Sequence, residues 1–162
     1  MADEFNLQIV IACSSNIDEN LYYQLSGQSD FKIITNYSYD LMKYAKFGIV
    51  KSGTSTLEAG YFALPMIIVY KISGLTYSIV KKLIKVSKIG MVNILLEDNV
   101  VPELIQNDLS EEKIYAAGRK ILNDEEHYNS IKVKLSKVKD KLGKEGASAR
   151  AAKQIYALMN ET

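Results

Sequence analysis

The chain has a single cysteine, Cys13, so no intrachain disulfide can form, and a reducing cytosol is the setting that fits. It has one histidine, His127, in the polar stretch Glu125-Glu126-His127-Tyr128. No cysteine or histidine stands near it at ligand spacing, which argues against a zinc site. A Ser-His-Asp triad lacks its nucleophile elbow. Gly53 is not followed by Gly-Lys-Ser/Thr, so there is no Walker A loop. No apolar run approaches the length of a membrane span. The start, Met1-Ala2-Asp3-Glu4-Phe5, is acidic and does not read as a signal peptide. No sign of charge dominates: 20 Lys+Arg face 19 Asp+Glu, which argues against a dominant nucleic-acid footprint. Repeats, low-complexity tracts and long linkers are absent.

What is present fits one globular unit. The 162 residues suit a single domain over 1–162, with terminal helices over 124–162, and 48% hydrophobic residues suffice for a core. Leu7 to Cys13 is apolar at nearly every position and predicts a buried strand. Ile17 to Gln28 predicts a helix closed near Gly27. Phe31 to Ile34 predicts a second strand, Ser38 to Lys46 a helix with Ser38 as cap, and Phe47 to Val50 a third strand. Ser55 to Ala63 predicts a helix and Met66 to Tyr70 a fourth strand. Strands alternating with helices over short connections predict an α/β fold, a Rossmann-like parallel sheet flanked by helices, with right-handed crossovers. Beyond Tyr70 the pattern turns helical. Leu75 to Val86 carries an apolar face (Leu75, Ile79, Val80, Leu83, Ile84). Gly90 to Leu96 is an apolar run, and Val101 to Asn107 reads as a helix with Pro102 in its first turn. Ser110 opens a helix to about Asn123, and Asp124 to Leu142 and Ala147 to Met159 are two more.

The stretch Lys51-Ser52-Gly53-Thr54-Ser55-Thr56-Leu57-Glu58 carries the strongest chemical signal. A strand feeds a small-residue turn, and the turn feeds a helix N-terminus. Such a turn offers backbone N–H groups at the positive end of a helix dipole, a natural seat for phosphate. Ser52, Thr54, Ser55 and Thr56 add hydroxyls, and Glu58 is placed to accept from a sugar hydroxyl. The spacing Ser55-x-x-Glu58 equally describes a capping box. Between Glu58 and Glu97 there is no acid but five lysines, Lys71, Lys81, Lys82, Lys85 and Lys88. At helical spacing Lys81, Lys85 and Lys88 share one face, which suits either an anionic membrane surface or plain solvent. Asn93 lies inside an apolar run, so its amide needs partners, either backbone or a ligand. Glu103 and Gln106, three apart, would share a helix face.

With these residues in order, the chain resembles the C-terminal half of lipid-A-disaccharide synthase, a glycosyltransferase of the GT-B type. The resemblance rests on Asn16-Ile17-Asp18-Glu19, Ser52 to Glu58, Pro65-Met66 with Val69-Tyr70-Lys71, and Leu75-Thr76-Tyr77 with Lys81 to Val86. It continues through Asn93-Ile94-Leu95 and Val100 to Gln106, and is weaker in the terminal helices. It implies transfer of 2,3-diacylglucosamine from its UDP donor to 2,3-diacylglucosamine 1-phosphate, with inversion, without a metal and without a cofactor. It implies that Ser52, Gly53, Thr54 and Thr56 lie at the diphosphate and Glu58 near the ribose. Asn93, Glu103 and Gln106 would lie near the donor sugar or uridine. Lys71, often Arg in the family, would add a point charge rather than a bidentate fork. UDP-2,3-diacylglucosamine is the implied partner, at the cytoplasmic face of the inner membrane, with peripheral contact through Lys81, Lys85 and Lys88. A homodimer stays open. No catalytic residue is assigned to this chain. The family's N-terminal domain, with the acceptor site and candidate general base, is missing from the sequence. So is the first strand of the C-terminal domain with its Gly-Ser-Arg loop. A truncated reading frame, a fragment, one piece of a split enzyme and a non-catalytic UDP-sugar-binding module all fit that pattern.

Overall fold

The computed structural model describes residues 1–27, 31–73 and 88–160. Among these residues five strands and seven α-helices run in the order β1 (Val10–Cys13), α1 (Glu19–Leu25), β2 (Lys32–Thr35), α2 (Ser38–Tyr44), β3 (Gly48–Lys51), α3 (Thr54–Tyr61) and β4 (Met66–Tyr70). After the segment outside the described residues come α4 (Met91–Leu96), β5 (Glu103–Ile105), α5 (Glu111–Asn123), α6 (Glu125–Leu142) and α7 (Ala147–Met159). The fold is α/β with parallel strands flanked by helices, as the alternating pattern predicts.

Among the described residues the strands do not form one continuous sheet: β1 pairs with β2, and β3, β4 and β5 form a separate parallel ladder in that order. The core sits around β4. Its run Met66-Ile67-Ile68 is buried on both faces, which is why it is apolar without alternation. Ala59 of α3, Val92 of α4, Ile121 of α5, and Ile131, Leu135 and Val138 of α6 close over it. The three α6 residues recur at helical spacing and give that helix one buried stripe. Gly60 lets α3 approach closely, since a Cβ there would meet Val92 at 2.8 Å and Val138 at 3.2 Å. Asp124 caps α6 by accepting from the His127 N–H at 2.8 Å, and Ser110 caps α5 by accepting from the Lys113 N–H at 3.3 Å. The N-terminal turn is tied to α5, where Arg119 pairs with Glu4 at 3.0 Å and Tyr115 donates to it at 2.9 Å.

Several local expectations are corrected. Residues 101–107 are not a helix: Pro102 offers its carbonyl to the Ile68 N–H at 2.9 Å and leads into β5, just ahead of the first strand residue, a position that tolerates proline. Glu103 and Gln106 therefore sit on a strand and on a 3-10 turn (Gln106–Asp108) rather than on one helix face. Residues 91–96, read as an apolar run, are the helix α4. Ser38 lies inside α2, whose cap position is Tyr37 without a side-chain bond. The helix expected over 17–28 is shorter, because Asp18 caps it by accepting from the Asn20 N–H at 2.9 Å. The helix expected over 75–86 lies outside the described residues.

Candidate functional site

The C-terminal ends of β3, β4 and β5 bring the predicted site residues into two connected groups. The first is the turn after β3. Ser52 stays tied to the sheet through its N–H, which donates to the Val69 carbonyl at 2.9 Å. Gly53 follows at φ 149°, a conformation that side chains rarely adopt. A Cβ at Gly53 would meet nothing within 4 Å, so the restriction is conformational and the space above it is open.

The hydroxyls of this turn divide by role. Ser55 donates to the Lys51 carbonyl at 3.0 Å, and the buried Thr56 donates to the Gly53 carbonyl at 2.8 Å. The capping box suggested by Ser55-x-x-Glu58 is not formed, because Ser55 turns back toward β3 and no side chain caps α3. The helix start therefore keeps N–H groups without intrahelical partners, beside the exposed Thr54. Glu58, one turn further on, accepts from the Tyr39 hydroxyl at 3.4 Å. It lines an open, mostly apolar cleft of about 310 Å³ with Tyr39, Leu57, Tyr61, Phe62 and Leu142.

The second group is a clasp along β5, from Glu103 at its start to Gln106 just past its end. Asn93 is fully buried; its amide donates to the Val101 carbonyl and to Glu103 Oε1, both at 2.8 Å, and accepts from the Val101 N–H at 3.2 Å. The partners are thus backbone and carboxylate, and the amide satisfies the accounting that burial demands. Glu103 in turn accepts from the Ile89 N–H at 2.8 Å and the Gly90 N–H at 3.1 Å. Gln106 accepts from the Ile72 N–H at 2.7 Å and donates to the Ile72 carbonyl at 3.0 Å. It does so from φ 53°, a left-handed conformation uncommon outside glycine. Glu103 and Gln106 thus hold residues 89–90 and 72, the backbone on either side of the segment 74–87. Ser52 joins the two groups by donating from Oγ to the Ile89 carbonyl at 3.0 Å.

Lys71 is exposed and directly follows β4, at the same end of the sheet as the turn. Of the proposed basic face, Lys88 is half-buried, while Lys81 and Lys85 lie outside the described residues. Among the described residues no group of three or more His, Cys, Asp or Glu converges as a metal site. No helix among them is long and apolar enough to cross a membrane.

Sequence reasoning missed the backbone of Ile72 and Ile89, and the aromatic neighbours of Glu58. Backbone groups carry no residue-type signal. Gly90 carried one: a Cβ there would meet Ile68 Cδ1 and Glu103 Oε1 below 3.0 Å, so a side chain at 90 would have to displace part of the clasp.

The family described as Lipid-A-disaccharide synthetase matches residues 3–157. The lipid-A-disaccharide synthase of Sulfurihydrogenibium sp. (strain YO3AOP1) is 38% identical over 157 residues, covering 97% of this chain and 38% of the relative. That of Geobacter sulfurreducens is 35% identical over 158 residues, covering 96% and 41%. That of Persephonella marina is 36% identical over 160 residues, covering 94% and 42%. The chain therefore spans about two fifths of the length of the curated relatives it matches. With the match running through both the turn and the clasp, the chain belongs to the lipid-A-disaccharide synthetase family of glycosyltransferases.

Proposed function

We propose that this chain is the donor-binding part of a lipid-A-disaccharide synthase. It holds the UDP of UDP-2,3-diacylglucosamine, and the remaining part of the enzyme presents 2,3-diacylglucosamine 1-phosphate and its general base. The observation that carries this reading is the open start of α3, directly off the end of β3, with Gly53 in a conformation suited to close backbone approach and no side chain capping the helix. A diphosphate there would take the first-turn N–H groups and the Thr54 hydroxyl as donors. A charge at a helix N-terminus is stabilised by about 0.3–1 kcal/mol, and by up to about 2 where partly buried. Glu58 would accept from the ribose at the mouth of the apolar cleft, and Lys71 would add positive charge at the same sheet end. Asn93, Glu103 and Gln106 would shape the donor side of the site by holding the backbone at 72 and 89–90. In an inverting transfer the enzyme places a base on the acceptor hydroxyl while the departing diphosphate is stabilised, and this chain supplies the second task.

Calorimetry with UDP tests the reading. UDP binds the folded chain, and both Gly53→Val and Glu58→Ala weaken that binding. A folded sample with no measurable affinity for UDP overturns it. Adding the remainder of a relative's synthase in trans restores disaccharide formation from the two diacylglucosamine substrates. UDP binding without restored transfer marks the chain as a binding module only.

A further inference from the structure

Ser52 stands where three parts of the chain meet. It directly follows β3, and its N–H donates to the Val69 carbonyl of β4 at 2.9 Å. Its hydroxyl donates to the Ile89 carbonyl at 3.0 Å, 37 residues further along the chain. From Ile89 the hydrogen bonds continue without a break. The Ile89 N–H reaches Glu103 Oε2 at 2.8 Å, and the Gly90 N–H reaches Oε1 at 3.1 Å. The same carboxylate accepts from the Asn93 amide at 2.8 Å, and Asn93 bonds both backbone groups of Val101. One chain of bonds thus runs from the turn after β3 to a fully buried amide on α4.

A serine has one backbone N–H and one O–H to donate. Both donors of Ser52 are committed, the first to β4 and the second to Ile89. An ionised phosphate offers only acceptor oxygens. The lone pairs left on Ser52 Oγ are acceptors too, so they give a diphosphate nothing to bond. Thr54 differs, since it is exposed at the first residue of α3.

We propose that Ser52 is a positioning residue rather than a phosphate ligand: its hydroxyl couples the turn after β3 to the clasp of Glu103 and Asn93. The turn needs such an anchor. Gly53 has glycine's conformational freedom and open space where a side chain would be, so its neighbours must hold it. On the helix side Thr56 does so, through its hydroxyl at 2.8 Å and its N–H at 3.1 Å on the Gly53 carbonyl. On the sheet side Ser52 does so, through Val69 and Ile89. The tie also serves the clasp, because it satisfies the carbonyl of the half-buried Ile89. Coupling of this kind is reciprocal. A ligand that fixes Gly53 and Thr54 also steadies Ile89 and Gly90, and a loosened clasp weakens the ligand's hold. This last consequence rests on the proposed donor site, whereas the tie itself does not.

Hydrogen exchange on the full chain tests both parts. In the free chain Ser52→Ala keeps the backbone bond to Val69 and speeds exchange at Ile89 and Gly90 roughly tenfold, with no comparable change at 10–13. Ser52→Cys, with a weaker donor in its place, shifts the same two amides by less and stands in where the alanine variant fails to fold. Thr54→Val, which removes the exposed hydroxyl, leaves both at the parent rate. Saturating UDP slows exchange at 89–90 about fivefold or more in the parent and leaves it unchanged in Ser52→Ala. The proposal is overturned if the Ser52 variants exchange at 89–90 like the parent, or if Thr54→Val speeds these amides as much. It is also overturned if UDP slows them in Ser52→Ala as it does in the parent. Weakened UDP binding with unchanged exchange in the free chain makes Ser52 a phosphate ligand after all. A parent chain that binds no UDP overturns the donor-site reading alone, since the free-chain rates decide the tie between turn and clasp.

Discussion

The ladder built on β4 and the ladder of β1 and β2 have the same parallel geometry and opposite degrees of burial. Around β4, helices on the sheet faces leave Met66, Ile67, Leu135 and Val138 without solvent contact. Around β1 and β2, neither α1 nor α2 has a buried residue, and Leu25 is 78% exposed. Cys13 is the one residue of β1 and β2 that is buried. The difference teaches that parallel pairing does not by itself make a core. A parallel strand is stabilised when both of its faces are covered, and among the described residues the first ladder has neither that cover nor a neighbour on one side.

Mutations can break or sharpen this contrast. The largest effect is expected in the covered half. Leu135→Ala removes a fully buried side chain and should cost about 2–5 kcal/mol in urea unfolding. Ile33→Ala in the half-buried β2 should cost clearly less, and equal losses would show that the two ladders unfold as one tightly coupled unit.

Next comes the clasp. Glu103→Gln would set an amide N–H against the N–H of Ile89 or Gly90, at a cost of about 1–3 kcal/mol. Its melting midpoint should fall without any nucleotide present, which separates a role in holding the backbone from one limited to ligand contact.

Leu25→Ser, on the exposed side of α1, should change stability by no more than about 0.5 kcal/mol in the same urea experiment. A larger loss would mean that α1 already packs on something in solution, such as another copy of the chain.

The smallest effect concerns Lys134, which donates to Asp98 at 2.8 Å on the exposed surface of the covered half. That bond and the lysine's charge hold the Asp98 carboxyl below its ordinary pKa. A depressed carboxylate contributes stability above its unfolded pKa and loses it as pH falls through the folded value. The small difference in melting midpoint between Lys134→Ala and the parent should therefore be present at neutral pH and vanish in acid.

Much of the fold was legible because its signals are local. The run Met66-Ile67-Ile68-Val69-Tyr70 could only be a covered strand, and it is one with the expected bounds. Ser110 and Asp124 announced two helix starts through side chains that reach their own backbone three residues on. Local signals misled where a distant partner decided the outcome. Pro102 suits a helix start, but the Ile68 N–H on β4 claimed its carbonyl and drew the next residues into the sheet. Ser55 and Glu58 have capping-box spacing, yet the Lys51 carbonyl and the Tyr39 hydroxyl took them instead.

By itself, the sequence determined the alternation of strands and helices, the small-residue turn at Ser52 to Glu58 between a strand and a helix, and the resemblance that led to the family. These depend on residue types at short spacings. Only the tertiary structure decided that Asn93, Glu103 and Gln106 form a clasp on residues 72 and 89–90, and that the sheet is divided between β1 and β3. Hydrogen bonds to distant backbone groups and the order of strands in a sheet are set by how elements meet in space, and residue types at short spacings do not record them.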